Sequence, residues 1–153
     1  MGIAFSIINN IAKIQEQLKK ANERNVRAAL LEWHRSLVQD TLTGSRHGRT
    51  YKVPAGKASH KGGKWSGGRT YVASAPGEAP AQRTGAYRSS FKTIVENEGG
   101  EPVGYLGTPA VQGRALEEGT KDGRIKPRPH LHVSYERDKQ EILKKLSQRF
   151  DEK

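Results

Sequence analysis

The 153-residue chain contains no cysteine, which excludes disulfides, thiolate metal sites and thiol catalysis. Its 27 Lys and Arg against 16 Asp and Glu leave a net charge of +11, and only 29 residues are Leu, Ile, Val or Phe. That apolar share, under about one fifth, predicts a single domain with a thin core, and part of the chain either unsupported or supported by other subunits. The longest apolar run falls far short of the ~20 residues that a membrane-spanning helix needs, so no membrane partner is expected.

In chain order, Ile7, Ile8, Ile11, Ile14, Leu18 and Ala21 recur at spacings of three and four. This predicts an amphipathic helix over residues 5–20. Val26, Leu30, Trp33 and Leu37 predict a second helix over 23–42, ended by Gly44. The intervening KKANERN offers Asn22 and Asn25 as N-caps and predicts a bend or break between the two.

From Thr41 to Gly77 there are seven basic residues and no acidic one: Arg46, Arg49, Lys52, Lys57, Lys61, Lys64 and Arg69. Seven glycines lie between Gly44 and Gly68. Tyr51-Lys52-Val53 and Thr70-Tyr71-Val72 read as short strands, and the stretch between them buries too little to order itself. A long basic loop or arm is expected over 44–73. Its cations alternate with Tyr51 and Trp65. That mixture suits a phosphate backbone with stacked bases, but a solvated loop, or one that docks on an acidic protein surface, is the favoured reading.

SAPGEAPAQRTGAYRSSF, Ser74 to Phe91, changes the texture abruptly. Pro76-Gly77 predicts a type II turn, and Ala75 and Ala79, each before a proline, should be extended. Pro80 adds a second rigid point, and Thr84 caps a helical turn from Gly85 to Ser89. FKTIVEN reads as a strand with Phe91, Thr93 and Val95 on one face. EGGE makes the hairpin turn, and 102–107 returns, with Pro102 at the strand start or on an edge.

Gly119 breaks one helical turn in VQGRALEEGT, and KDGRIKPRPHL is extended by its prolines. Leu131, Tyr135, Ile142, Leu146 and Phe150 predict a final amphipathic helix over 133–149. The fold class is therefore α+β: N-terminal helices over 1–43, the basic arm over 44–73, a small antiparallel sheet region over 74–132 and a C-terminal helix over 133–153.

Little here points to catalysis. SHKGGKWS resembles a P-loop, but Ala58 stands where the first glycine is needed and Trp65 where Ser or Thr is needed. His130 and His132 would share a face on a strand and could hold a metal. However, no third ligand is in register, and Arg124, Lys126 and Arg128 would repel a cation. Glu117 and Glu118 diverge on a helix. No nucleophile-and-base pattern is present, and no cofactor is expected.

The order of these segments resembles the neck proteins of long-tailed bacteriophages, the small head–tail joining or tail-completion proteins, over nearly the whole chain. The residues that carry the resemblance are Ser74 to Ala81, Thr84-Gly85, Glu117-Glu118-Gly119-Thr120 and Arg128-Pro129-His130-Leu131. The chain departs from the family pattern at Glu118, where an aromatic is usual, and at His130, where Phe is usual. The resemblance implies an α+β subunit of a cyclic homo-oligomer in the virion, without catalysis. It also implies contacts with neighbouring neck and tail proteins. The rival reading is a basic nucleic-acid-binding protein, although no named DNA-binding module is visible.

Overall fold

The computed structural model describes residues 2–53 and 69–148. Helix α1 runs without interruption from Gly2 to Arg35 and passes into a π-helical turn, Ser36–Thr41. At about 1.5 Å per residue, α1 is about 50 Å long. The predicted bend at KKANERN is absent, and Asn25 caps nothing in its own helix. It is buried, and its amide donates to the carbonyls of Leu146 and Gln148, at 3.3 and 2.9 Å. These are C-terminal carbonyls with no partner in their own helix, so a distant element claims the side chain that looked like a local stop signal.

Those carbonyls belong to the end of α4, Leu131–Leu146, which packs antiparallel to α1. Trp33 Nε1 donates to Ser134 Oγ at 2.9 Å, and its ring meets Tyr135 edge-on at 5.4 Å. One turn on, the buried Ser36 hydroxyl donates to Asp138, which Arg137 also bonds at 3.0 Å. Since Asn25 already lies level with the last turn of α4, the earlier turns of α1 project past it. Residues 13–20 are all exposed, Ile14 and Leu18 included.

Strands β1, Thr50–Val53, and β2, Arg69–Val72, form an antiparallel ribbon with Tyr51 opposite Tyr71. A second ribbon joins β3, Lys92–Glu98, to β4, Glu101–Gly107, through the two-residue turn Gly99-Gly100. Thr93 and Val95 lie on its half-buried face, as the alternation predicts, and Ile94 lies opposite Tyr105 on the exposed one. α1 crosses this second ribbon. The short helices α2, Ala86–Ser89, and α3, Gly113–Glu118, complete the α+β fold.

The central core is small. Leu37, Leu42 and Phe91 are fully buried, with Val38, Tyr87, Leu106 and Leu131 packed around them. Among the described residues, no helix is long and apolar enough to cross a membrane.

Candidate functional site

The motif residues are far apart in sequence and meet at one junction. Its first element is the turn at Pro76-Gly77. Glu78 N–H closes it onto Ala75 O at 3.1 Å, and Gly77 has φ +84°, as a type II turn requires. The Glu78 carboxylate folds back onto Ala75 N–H at 2.8 Å and reaches His47, bonding its N–H at 3.1 Å and Nδ1 at 2.7 Å. The Ala75 bond leads, and with those from His47 it holds the Glu78 carboxyl at about 2. Gly48 N–H to Ala73 O and Ala73 N–H to Arg49 O extend the β1–β2 pairing down to this point. The root of the basic arm is thus tied to the Pro-Gly turn by both backbone and side chain.

The second element is the Arg-Pro segment. Arg128 Nε donates to Ser74 Oγ at 2.7 Å, its backbone N–H donates to Leu116 O at 2.7 Å, and Gly77 N–H donates to Pro127 O at 3.0 Å. Gly119 lets the chain double back between them. Its φ of +82° and ψ of −180° lie in a region essentially restricted to glycine. A Cβ there would sit 2.9 Å from Ile125 O and 3.0 Å from Pro127 Cδ. Thr120 closes the loop, pairing backbone N–H with Ile125 O and hydroxyl with Ile125 N–H, both at 3.0 Å.

The third element is Glu117. Its carboxylate accepts the backbone N–H groups of His130, Leu131 and His132 at 2.9, 3.1 and 3.0 Å. These are donors that the first turn of α4 leaves without helical partners. A carboxylate also suits the positive end of a helix. His130 is wholly buried, with Nδ1 2.7 Å from Glu117 and 2.9 Å from Arg128 O. Two acceptors facing Nδ1 place a proton on it. Nε2 lies 2.7 Å from the Tyr87 hydroxyl. Burial alone would raise the Glu117 carboxyl, but the His130 imidazole and the three N–H groups outweigh it and hold it at about 2. The Tyr87 hydroxyl is pushed up to about 12, by burial first and then by the Glu117 charge. Tyr87, His130 and Glu117 have the order of a proton relay, yet the Glu117 carboxylate at its end is committed to the three N–H groups that open α4, and the raised Tyr87 hydroxyl stays protonated at neutral pH. The arrangement is that of a clamp.

Beside the junction opens a cavity of about 340 Å³ whose walls include Tyr71, Ser74, Tyr87 and three arginines, Arg83, Arg88 and Arg128. Pro80, Thr84 and Gly85 line it too. Thr84 precedes the capping position of α2, which Gly85 occupies with φ +79°, and the Thr84 hydroxyl accepts Ala86 N–H at 3.4 Å.

The predicted partner-binding residues separate into two groups. Arg49, Tyr51 and Lys52 are exposed on the β1–β2 ribbon, with the Arg49 guanidinium 5.4 Å from the Tyr51 ring centre. Arg46 instead turns inward and bonds the carbonyls of Gly44, Ser45, Thr41 and Pro80. It is an internal tie of the arm root. Arg69 contributes its backbone to β2. Lys57, Lys61, Lys64 and Trp65 lie outside the described residues.

His130 and His132 do not share a strand face. α4 starts at Leu131, two residues before the predicted boundary, so His130 is its N-cap and His132 lies on its first turn. Among the described residues, no cluster of three or more His, Asp or Glu could hold a metal. Tyr87 has no local signal in the sequence, because a tyrosine in a four-residue helix carries no mark of its distant partner. No family model, curated protein or solved structure matches the chain.

Proposed function

We propose that this chain is a structural subunit of a phage neck, acting without catalysis in a ring that joins head to tail. The observation that carries the reading is the outward-facing apolar surface of α1. Residues 13–20 are exposed, Ile14 at 54% and Leu18 at 41%. The pattern that buries Ala29, Leu30 and Leu37 farther along continues into this stretch, with none of the described residues over it. A long helix left half-covered by a thin core is completed by other subunits, and identical subunits joined head to tail close into rings.

The motif junction supports the same reading. It fixes the root of the basic arm against α3 and the start of α4, so an arm leaving this point has a defined base. Ser74, Gly77, Glu117, Thr120 and Arg128 all serve this scaffold through their hydrogen bonds. In a ring subunit the arm contacts protein, because strong phosphate contacts along a DNA passage would have to break as the DNA moves. Exposed arginine and tyrosine are also favoured anchors at protein interfaces.

A second reading rests on the same ribbon: exposed Arg49, Tyr51 and Lys52 could serve a nucleic-acid backbone. An extract of infected cells lacking this chain separates the two. Under the neck reading, filled heads and complete tails accumulate unjoined, and purified chain restores joined particles. Joined particles in its absence contradict the reading.

A further inference from the structure

Among the described residues, every carboxylate side chain has a cationic or imidazole partner within 4.0 Å except those of Glu96, Glu98 and Glu101. In a chain of net charge +11, carboxylates without a cation are the exception. All three are exposed and sit together at the tip of the β3–β4 ribbon, where Glu98 faces Glu101 and Glu96 faces Val103. Beneath them on the same ribbon, Ile94 and Tyr105 form an exposed cross-strand pair, 53% and 44% accessible. The result is a projecting acidic tip with an apolar step behind it.

The cavity beside the motif junction has the opposite character. Arg83, Arg88 and Arg128 reach it, and none pairs with a carboxylate among the described residues. Arg128 is held in place by Ser74, which presents its guanidinium without neutralising it. Tyr71, Ala81, Ala86 and Leu116 supply apolar walls.

The tip cannot fill the cavity of its own chain. The base of the ribbon, at Phe91, packs against Tyr87 on the cavity wall, with ring centres 5.2 Å apart. From Lys92 to Glu98 the strand then carries the tip about 20 Å away, at roughly 3.3 Å per residue. We infer that the acidic tip of the β3–β4 ribbon docks into the arginine-lined cavity of a second copy of this chain. Glu96, Glu98 and Glu101 face Arg83, Arg88 and Arg128 there, and Ile94 and Tyr105 cover the apolar wall. Tip and cavity are different surfaces, so the contact is heterologous and propagates from copy to copy. The inference rests on the ring reading above and adds which surfaces meet.

Charge reversal tests it on the full chain. One variant carries Glu96→Lys, Glu98→Lys and Glu101→Lys; the other carries Arg83→Glu and Arg88→Glu. None of these five side chains is buried, and thermal melting checks that both variants stay folded. Sedimentation equilibrium at low salt, up to about 1 mM chain, reads self-association. Each variant alone should associate at least about tenfold more weakly than the wild type, and an equimolar mixture should recover, because the reversed tips of one variant then meet the reversed cavities of the other, and native tips meet native cavities. A general effect of net charge would move the two variants in opposite directions and overturns the inference. Association that persists in both variants also overturns it, while leaving a ring built from other surfaces intact. A wild type that stays monomeric throughout overturns self-docking and leaves head–tail joining to the extract experiment.

Discussion

Glu117 grips His130 twice, accepting its backbone N–H at 2.9 Å and lying 2.7 Å from its imidazole Nδ1. The same carboxylate starts α4 and orients the ring that bonds Tyr87, so one side chain joins α3, α4 and the short helix before β3. Replacing Glu117 by Gln keeps the size but turns an amide N–H₂ toward donors. At least one buried N–H group then lacks a partner. We expect a loss of about 1–3 kcal/mol in urea unfolding. Wild-type stability in that variant would show that the clamp contributes nothing.

The same carboxylate predicts how stability falls with acid. Its folded pKa of about 2 lies below the ordinary 4.5, so its contribution is fully present above about pH 4.5. The contribution is lost as pH falls from there to about 2. A shift of this size is worth on the order of 3 kcal/mol. Melting temperature followed from pH 5 to pH 2 should drop more steeply in the wild type than in Glu117→Gln. Parallel curves would place the acid sensitivity elsewhere.

Gly119 and Gly77 separate two kinds of glycine requirement. At Gly119 both the dihedrals and the space forbid a side chain, so Gly119→Ala should cost about 3 kcal/mol. At Gly77 nothing lies within 4 Å of a Cβ, so only its φ of +84° is strained. Gly77→Val should cost about 1–3 kcal/mol, and Gly77→Asn less, because Asn tolerates the left-handed region. Equal melting temperatures for Gly77→Val and the wild type would show that the turn is not what fixes the arm root.

The arm prediction concerns DNA. Purified chain should bind duplex DNA weakly and without sequence preference, at roughly 10⁻⁴ to 10⁻⁶ M at physiological salt. Replacing Arg49, Lys52, Lys57, Lys61, Lys64 and Arg69 by Gln should impair joining in the extract more than it lowers that affinity. Tight, sequence-selective binding lost in the same variant would favour the nucleic-acid reading. Arg46 is left out because its guanidinium holds the arm root together.

The elements that were legible in the sequence are those set by local chemistry. Pro76-Gly77 and Gly99-Gly100 specify their turns by allowed φ, and the alternation of FKTIVEN specifies which face of β3 is covered. The errors arise where a side chain's partner is far away in sequence. Asn25 looks like a helix cap and instead bonds the end of α4, more than a hundred residues on. His130 looks like half of a metal pair, and it is a buried N-cap whose partners are Glu117 and Tyr87. Arg46 counts as one of seven similar cations, yet it alone of the described ones is spent on backbone carbonyls. The arginine cavity was equally hidden, since Arg83, Arg88 and Arg128 come from three separate segments. In each case spacing along the chain carries no information about the contact.

The central claim is that many copies of this chain form a closed ring at the junction of head and tail. Cryo-electron microscopy of assembled particles, with the chain located by an appended tag, measures copy number and position together. The account predicts a single cyclic ring at that junction, with α1 of each copy covered by a neighbour. A lone copy, or density confined to the packaged DNA, would contradict it.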